Sequence, residues 1–322
     1  MILLNITKSI IRDYMRMMIN NNEQKCQPDP YVLEDGGKFY VFTTGVDGVK
    51  CYKSSKLQGE YEYIGIVFNR EGFKEYWAPA VIKYQGKYYM YVSYMPSYEE
   101  DVHTQKLIVA VASQIDGKYE YLNDLCQPFS IDAHPVINET GLYMFYSINE
   151  YEGDKVGTRI VLDKMISPTK LLGNPKVVVS PSLEEEIYMK NRFKEGQDWY
   201  TIEGACYFNE GDYHYLLYSA NCWQNKFYFV GYSMCKSGEL DLTKLEFNKY
   251  PNDTTYQPLL SKNEFESGTG HNTVIKYNDE WYIVYHGRDV EEENEEFDNR
   301  SMRIAKLVVD GEKLLVIRKN GN

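Results

Sequence analysis

Five times along the chain, a run of alternating apolar and polar residues leads through a tight turn into a second run rich in aromatic residues. Alternation with a period of two predicts a half-buried β-strand, and a Gly, Asp or Asn turn between two such runs predicts a β-hairpin. The copies read DPYVLEDGGKFYVFTTG from Asp29, WAPAVIKYQGKYYMYVSY from Trp77, DAHPVINETGLYMFYSIN from Asp132, EGACYFNEGDYHYLLYSAN from Glu203 and HNTVIKYNDEWYIVYHGR from His271. The chain is therefore predicted to be all-β and built from one repeated unit.

The spacing of the copies, 48 to 71 residues, leaves room for four strands in each. A tyrosine follows the start of four copies by eleven residues, at Tyr40, Tyr88, Tyr143 and Tyr282, and His214 takes that place in the fourth copy. Radially repeated four-stranded sheets make a β-propeller, here with five blades, and a β-sandwich with similar hairpins is the alternative. Residues 27–322 are predicted to form this single domain, and residues 1–26 a short helical extension packed outside it.

Charge and cysteine usage narrow the class of partner and the compartment. The formal net charge is −12 without a run of Lys or Arg, which argues against nucleic acid and against membrane as the main partner. None of the six cysteines forms a CxxC pair, so no zinc or redox motif is present. Charged residues interrupt the mildly apolar N-terminal stretch, which therefore resembles neither a signal peptide nor a membrane span. Free thiols and this N-terminus predict a cytoplasmic protein.

The repeat also predicts where polar residues meet. If the first strand of each hairpin lies innermost, the residues just before the five first strands converge on one end of the central channel: Asp29, Trp77, Asp132, Glu203 and His271. Taken singly, each has an ordinary structural explanation, as a turn carboxylate, a core indole or a hydrogen-bonded imidazole. Three carboxylates around one concavity raise one another's pKa, and such clustering is typical of a functional site.

Hydrolysis of a glycosidic bond fits this set of residues. The reaction needs a protonated acid at the leaving oxygen and a carboxylate as base or nucleophile, and a third carboxylate can hold the pKa of the acid high. The GxSxG, HExxH and P-loop motifs of other hydrolases are absent from the sequence. The 31 tyrosines are suited to half-buried strands and to sugar-stacking walls alike. An acidic stretch, residues 289–299, is predicted to be a solvated loop of the fifth blade.

The motifs PDPYV, WAPAV, IDAHPV, TIEGACYF, GTGHNTVI and NRSMRIAKL follow one another along residues 27–317. Together they resemble glycoside hydrolase family 43, whose members are five-bladed propeller enzymes active on arabinose- and xylose-containing glycans. Two features depart from the family. Ala205 and Cys206 follow the Glu-Gly pair, where many relatives carry Pro or another small residue, and residues 1–26 have no recognised counterpart.

Carried over position by position, the resemblance implies a role for each motif residue. Asp29 would be the general base that activates water, Glu203 the general acid, and Asp132 the residue that orients the acid and tunes its pKa. The resemblance implies no required cofactor but allows a calcium ion on the axis, held by His271 directly or through water. Arg300 would pair with a carboxylate or a sugar hydroxyl, with Arg303 close enough to compete for that role. The remaining expected substrate contacts are Trp77, His134 and Trp223.

The expected activity is that of an inverting exo-glycosidase that releases α-L-arabinofuranose or β-D-xylose from short oligosaccharides. Inversion requires the carboxyl groups of Asp29 and Glu203 to lie roughly 6.5–9.5 Å apart, with water between base and sugar. An endo-arabinanase or another five-bladed carbohydrate enzyme, including a fructan hydrolase or a phosphorylase, is the alternative within enzymes. A non-catalytic carbohydrate-binding propeller is the alternative outside them, and it would tolerate loss of a carboxylate. Nothing in the sequence indicates an oligomer.

Overall fold

The computed structural model describes residues 18–19, 26–292 and 298–318. Their strands form five separate sheets, and the first strand of each sheet starts at one of the five repeats. Blade one holds β2 (Tyr31–Asp35), β3 (Lys38–Thr43), β4 (Val49–Ser54) and β5 (Glu60–Phe68), and β1 (Met18–Ile19) runs parallel to β5 at the outer edge. Blade two holds β6 (Phe73–Tyr84), β7 (Lys87–Pro96), β8 (Lys106–Ala112) and β9 (Glu120–Asp124).

Blade three is the largest sheet. Its first three strands are β10 (Ser130–Asn138), β11 (Gly141–Glu150) and β12 (Gly157–Ser167). Against β12 lie the short strands β13 (Lys170–Leu171) and β14 (Lys176–Val179), followed by a hairpin of β15 (Ile187–Lys194) and β16 (Gln197–Tyr200). The hairpin ends two residues before blade four begins, and it therefore extends blade three at the junction with blade four.

Blades four and five return to four strands each. Blade four holds β17 (Ile202–Glu210), β18 (Tyr213–Ala220), β19 (Phe229–Lys236) and β20 (Asn248–Lys249). Blade five holds β21 (Glu266–Tyr277), β22 (Glu280–Asp289), β23 (Ser301–Asp310) and β24 (Lys313–Ile317). Single-turn 3-10 helices occur at Val102–Thr104, Glu184–Glu186, Leu242–Lys244 and Val290–Glu292. None of the described helices is long and apolar enough to cross a membrane.

The innermost strands close a ring. Contacts run from β2 to β6, from β6 to β10, from β10 to β17, from β17 to β21, and from β21 back to β2. Apolar clusters fill the spaces between adjacent blades; one of them joins Val32 and Phe39 of blade one to Val284 and Met302 of blade five. A sandwich of two sheets cannot produce this closed order, so the prediction of a five-bladed propeller is confirmed.

Blades one and five share no strand within the described residues. Hydrogen bonds join them instead: the Gln27 backbone N–H donates to the Arg300 carbonyl at 2.7 Å. Thr273 Oγ1 accepts the Val32 N–H at 3.2 Å and donates to the Pro30 carbonyl at 2.8 Å. Closure of the ring therefore depends on side-chain and loop contacts at this seam.

Strand pairing shows that the repeat frame predicted from sequence was wrong by one residue in two blades. In each blade, the fifth residue of the repeat pairs with a tyrosine seven residues later, provided that blade two is counted from Ala78 and blade four from Gly204. These pairs are Leu33–Tyr40, Ile82–Tyr89, Val136–Tyr143, Phe208–Tyr215 and Ile275–Tyr282. The equivalent start positions are thus Asp29, Ala78, Asp132, Gly204 and His271, and Trp77 and Glu203 each lie one residue earlier.

A β-bulge accompanies the start position in most of the blades. The pairing register slips in four blades, between Trp77 and Ala80, Ile131 and His134, Glu203 and Cys206, and Gly270 and Thr273. All five start positions have a left-handed backbone, with φ from 42 to 63°. Bulges redirect side chains and cluster next to active sites, and left-handed non-glycine residues cost on the order of 1–3 kcal/mol each. The same local distortion thus recurs five times around the axis.

Two further sequence expectations need correction. Met18–Ile19 form a parallel strand on the edge of blade one and not part of a helix. The open edge of β5 offers unpaired backbone groups with which this strand pairs. Apart from Cys26, the rest of the helix predicted for residues 1–26 lies outside the described residues. The acidic stretch at residues 289–299 is anchored at both described ends, since Asp289 pairs with Arg303 and Asp298 with Arg300. As expected, all six cysteines are unpaired.

Candidate active site

A small cavity on the propeller axis is lined by residues from all five blades. They are Asp29, Pro30, Tyr31, Ala78, Pro79, Ala133, His134, Ala205, His271, Asn272 and Thr273. The lining is mostly of small side chains, and the space is about the size of one water molecule. The first strands of all five blades thus meet at this cavity, but of the five residues predicted to converge there only Asp29 and His271 line it; Trp77, Asp132 and Glu203 are not among its lining residues.

Three of the five start positions are held by the preceding blade, through the residue fifteen positions after that blade's own start; the hydroxyls at this place in blades two and three, Ser93 and Ser147, have no hydrogen-bond partner among the described residues. We call the five residues at this place the latch positions: Thr44, Ser93, Ser147, Ser219 and His286. Three of them accept a backbone N–H from the next blade's start: Thr44 Oγ1 from Ala78 at 2.8 Å, Ser219 Oγ from His271 at 2.7 Å, and His286 Nδ1 from Asp29 at 3.1 Å. The strained backbone under the site is thus fixed between blades.

Asp29 lies among more positive groups than the other two carboxylates. Its Oδ1 is 3.3 Å from Arg300 Nη1, 3.5 Å from His271 Nδ1 and 3.2 Å from His286 Nδ1, and its Oδ2 accepts from Thr44 Oγ1 at 2.6 Å. Burial alone would raise the pKa of Asp29, but Arg300 above all, with the two histidines, holds it well below its usual value. Asp29 is therefore ionised throughout the physiological range.

Glu203 and Asp132 are in the opposite situation. Burial, together with the charge of Asp29, raises the pKa of Glu203 to about 7, although the Tyr228 hydroxyl donates to Glu203 Oε1 at 2.8 Å and favours the charged form. Burial and the charges of Glu203 and Asp29 also raise the pKa of Asp132, whose Oδ2 accepts the Gly204 N–H at 2.9 Å. Two such carboxylates beside a third cannot all ionise readily, so one proton stays on the pair near neutral pH.

The residue after the acid is a glycine for a visible reason. A Cβ on Gly204 would lie 3.3 Å from His271 Nδ1 and 3.3 Å from Ser219 Oγ, at a φ of 63°. Glycine adopts this left-handed backbone without strain and lets His271 approach. The His271 ring thereby lies between the carboxylates, with Nδ1 at 3.5 Å from Asp29 Oδ1 and 3.9 Å from Asp132 Oδ2.

The residues around His271 fit water better than a metal ion. Among the described residues, no group of three or more His, Cys, Asp and Glu side chains is arranged to hold a metal. Asn272 lines the axial cavity, and both polar atoms of its buried side chain lack a partner in this part of the chain. An unpaired amide in a cavity of that size is a typical site for a buried water. The calcium ion at His271 remains a prediction of the resemblance.

Arg300, and not Arg303, reaches the carboxylates. Besides Asp29, the Arg300 guanidinium binds Asp298 through Nε at 2.9 Å and Nη2 at 2.7 Å, and its central carbon lies 4.1 Å from the ring centroid of Trp223. Arg303 is fully buried away from them and pairs with Glu266 at 3.2 Å and Asp289 at 2.7 Å. Trp223 thus covers the positive side of the pocket.

The two remaining predicted substrate contacts are placed differently. Trp77 is half-buried just before the start of blade two, with Nε1 donating to Glu75 Oε2 at 2.9 Å. His134 lines the axial cavity, and Nε2 donates to the Tyr207 carbonyl of blade four at 3.2 Å. Burial lowers the pKa of His134 to about 4, so the ring is neutral. His134 links two blades, and its contact with substrate remains a prediction.

Sequence reasoning missed two residues of the site, Tyr228 and His286. The Tyr228 and His286 rings stack at 5.8 Å with 5° between their planes, and they connect Glu203 to Asp29. Burial lowers the pKa of His286 to about 4, so its ring is neutral and Nδ1 can accept the Asp29 N–H. A signal for His286 existed, because it is the imidazole at a position where the other four blades carry Thr or Ser.

The arrangement offers one ionised and one protonated carboxyl group around a single concavity. The charged Asp29 can accept a proton from water, and the Glu203–Asp132 pair can donate one. These are the two functions that glycosidic hydrolysis requires.

Comparison with known proteins agrees with this chemistry. The family model described as "Glycosyl hydrolases family 43" matches residues 23–312. Among curated proteins, none matches the chain. A crystal structure of a thermostable family-43 glycoside hydrolase superimposes with a TM-score of 0.77 at 24% identity, covering 96% of this chain and 98% of that one.

Two other solved structures differ from each other in activity. The α-L-arabinofuranosidase from Lactobacillus brevis gives a TM-score of 0.75 at 16% identity, with 96% and 97% of the two chains covered. The α-L-arabinanase from Cellvibrio cellulosa, complexed with arabinohexaose, gives 0.68 at 19% identity, with 91% and 96% covered. At these identities the likeness shows the shared fold and does not distinguish one activity from the other.

Proposed function

The chain belongs to glycosyl hydrolase family 43. From that membership we propose that it is an inverting exo-glycosidase. It releases a single α-L-arabinofuranose or β-D-xylose from the non-reducing end of short oligosaccharides. The observation that carries the proposal is the difference in charge between Asp29 and Glu203. The pKa of Asp29 lies well below its usual value, and that of Glu203 is raised to about 7. A pair of carboxyl groups held in opposite protonation states is what acid–base hydrolysis of an acetal needs.

In the proposed mechanism, Asp29 accepts a proton from a water molecule as that water attacks the anomeric carbon. Arg300 pairs with Asp29 and, more than any other group, keeps it ionised, and His271 and His286 lie beside it. Glu203 donates its proton to the departing glycosidic oxygen. Asp132 acts through Glu203: its charge disfavours ionisation of the acid, and its bond to the Gly204 N–H fixes the backbone beside the acid.

Two features support exo action on small substrates. Trp223 covers Arg300 on the side of the base, and the extra strands of blade three raise the rim at the junction with blade four. An enzyme that cuts within a polymer needs an open groove across both sides. An arabinan-type and a xylan-type terminal pentose are chemically similar enough for either to be the substrate.

A substrate panel tests the proposal. Nitrophenyl α-L-arabinofuranoside and β-D-xyloside, with arabino- and xylo-oligosaccharides of two to six units, would be incubated with the full chain, and the first-formed anomer of the product would be followed by NMR. We expect a single free pentose with inverted configuration from one of the two series. Release of internal fragments would instead indicate an endo-acting enzyme, and a retained anomer would contradict the role of Asp29 as base.

The same assay after dialysis against EDTA tests the calcium prediction. We expect turnover without added metal, since Asp29 and Glu203 supply both proton transfers. Activity that disappears with EDTA and returns with calcium would instead assign a metal to the axis at His271.

A further inference from the structure

The hairpin of β15 and β16 carries aromatic side chains that the proposed proton transfers do not use. We call Tyr151, Tyr188, Arg192, Phe193 and Trp199 together the aromatic shelf. Phe193 and Tyr151 are each 58% exposed, which is a large exposure for aromatic rings. A contiguous exposed aromatic patch is commonly a binding surface.

The shelf is a packed unit and not a set of isolated side chains. The buried ring of Trp199 contacts Phe193 at 5.2 Å and Tyr151 at 5.4 Å between centroids. The Arg192 guanidinium lies over the rings of Tyr188, Phe193 and Trp199 at 4.9, 5.1 and 5.1 Å. Three cation–π contacts hold the arginine in place, so that its N–H groups have a fixed position.

The hairpin is also fixed to the propeller. Gly157 of β12 lies so close to the hairpin that a Cβ on it would be 1.9 Å from the Tyr200 carbonyl oxygen. The Tyr200 N–H donates to the Val156 carbonyl at 2.9 Å, and the Asn221 side chain of blade four donates to the Glu185 carbonyl at 2.9 Å. The shelf therefore has a defined position between blades three and four.

That position is beside the acid. Trp199 precedes Glu203 by four residues, a span of about 13 Å in extended chain. Tyr188 follows Ile187, which pairs with Tyr200 across the hairpin, three residues before Glu203. Burial raises the pKa of the Tyr188 phenol, and the charges of Cys222 and Glu203 add to that rise. Asp29 instead contacts Thr44, His271, His286 and Arg300.

The chemistry of a general acid determines which part of the substrate lies next to Glu203. A general acid must contact the glycosidic oxygen that leaves, so the leaving group occupies the space next to Glu203 while the attacking water lies with Asp29. We propose that the aromatic shelf binds the leaving-group sugar, that is, the ring attached to the terminal pentose. This inference rests on the proposed function and adds to it a preference for oligosaccharides over pentosides with a small leaving group.

A sugar ring fits the shelf better than an apolar partner does. One face of such a ring is made of C–H groups, which pack on exposed rings such as Phe193 and Tyr151, and its edge carries hydroxyl groups, which accept hydrogen bonds from Arg192. Within the described residues the Arg192 guanidinium has one long hydrogen bond, from Nη2 to His103 Nε2 at 3.4 Å, so a purely apolar partner would bury most of its N–H groups without an acceptor, which is costly.

The test compares two substrates that differ in the leaving group alone. One is arabinotriose or xylotriose, whichever the wild-type protein cleaves, and the other is the fluoride of the same pentose, whose leaving group is a single atom. In Phe193→Ala and Tyr151→Ala, we expect kcat/KM on the trisaccharide to fall roughly tenfold each, mainly through KM, and kcat/KM on the fluoride to stay unchanged. Arg192→Ala should behave likewise.

Tyr277→Ala is the matched control. Tyr277 is also a partly exposed aromatic residue packed on another ring, at 5.0 Å from Phe39, but it lies at the turn end of β21, away from the start positions. We expect neither substrate to be affected in this variant. The midpoint of thermal unfolding, measured for every variant, would show whether the fold is retained.

Three other results would contradict either the role of the aromatic shelf or the proposed function. Unchanged trisaccharide kinetics in the shelf variants would show that the shelf does not bind the leaving group. Equal losses on trisaccharide and fluoride would show a structural role instead. A wild-type protein that cleaves no pentoside at all would overturn the proposed function, and the role of the shelf with it, whereas normal wild-type activity with unaffected variants would overturn the shelf alone.

Discussion

His286 Nδ1 accepts the backbone N–H of Asp29 at 3.1 Å, across the seam between the last blade and the first. The general base therefore owes the position of its backbone to a neutral imidazole from the other end of the chain. In the equivalent places of blades one and four, a threonine and a serine hydroxyl do the same for the next blade.

Removing that acceptor should misplace the base. In His286→Ala, the Asp29 N–H loses its buried partner, at a cost of about 1–3 kcal/mol. We expect kcat to fall about tenfold or more on substrates with good and with poor leaving groups alike. His286→Asn places an amide oxygen near the position of Nδ1 and should recover most of the loss. Equal defects in the two variants would show that the hydrogen bond is unimportant.

The acid and the base should respond differently to the leaving group. Glu203→Ala should abolish activity on natural oligosaccharides but spare nitrophenyl glycosides, because a good leaving group needs little protonation. Asp29→Ala should abolish activity on both. Steady-state kinetics on the two substrate classes check this, and an equal loss for both in Glu203→Ala would contradict the acid role.

Tyr228 should set the alkaline limit of activity. Its hydroxyl donates to Glu203 Oε1 and lowers the pKa of that carboxyl, which is nevertheless raised to about 7. Activity requires protonated Glu203 and falls as pH rises through this pKa. In Tyr228→Phe the pKa should rise further, so the alkaline limb of kcat/KM should move to higher pH while the acid limb stays in place. A limb that moves to lower pH would contradict the assignment.

Glu203 should also make the fold less stable at alkaline pH. Its pKa is raised in the folded protein, so the folded state binds more protons than the unfolded state between roughly pH 4.5 and 7, and stability is lost as pH rises through that window. Glu203→Gln removes this titration. Denaturant unfolding should show the variant to be more stable than wild type by about 1–2 kcal/mol at pH 8, with a smaller difference at pH 5.

The sequence was sufficient to predict the parts of the site that follow directly from the repeat. Asp29, Asp132 and His271 occupy the start position and were placed correctly, because their hairpins align without a gap. Trp77 and Glu203 were assigned one residue out of frame. Tyr88 stands next to Tyr89, and Tyr213 and Tyr215 flank His214, so the aromatic residues of these two hairpins allowed a frame that begins one residue early.

Interactions between blades could not be predicted from the sequence for another reason. Tyr228, His286 and the aromatic shelf act on residues that are distant in sequence, and their partners depend on the angle between adjacent sheets. The choice between Arg300 and Arg303 belongs to the same class. Both belong to the NRSMRIAKL motif, and the side-chain direction at the start of β23 decides that Arg303 is buried with Glu266 while Arg300 contacts Asp29.

The seam between blades one and five has a consequence for how the protein fails under stress. The contacts that fasten the ring include those that hold the base, since Arg300, His271 and His286 all belong to blade five and Asp29 to blade one. A small opening there would separate Asp29 from Arg300 and from the two histidines while the blades stay folded. Hydrolytic activity is thus a sensitive gauge of ring closure, and it should be lost at denaturant concentrations that leave the β-sheet signal of the blades intact.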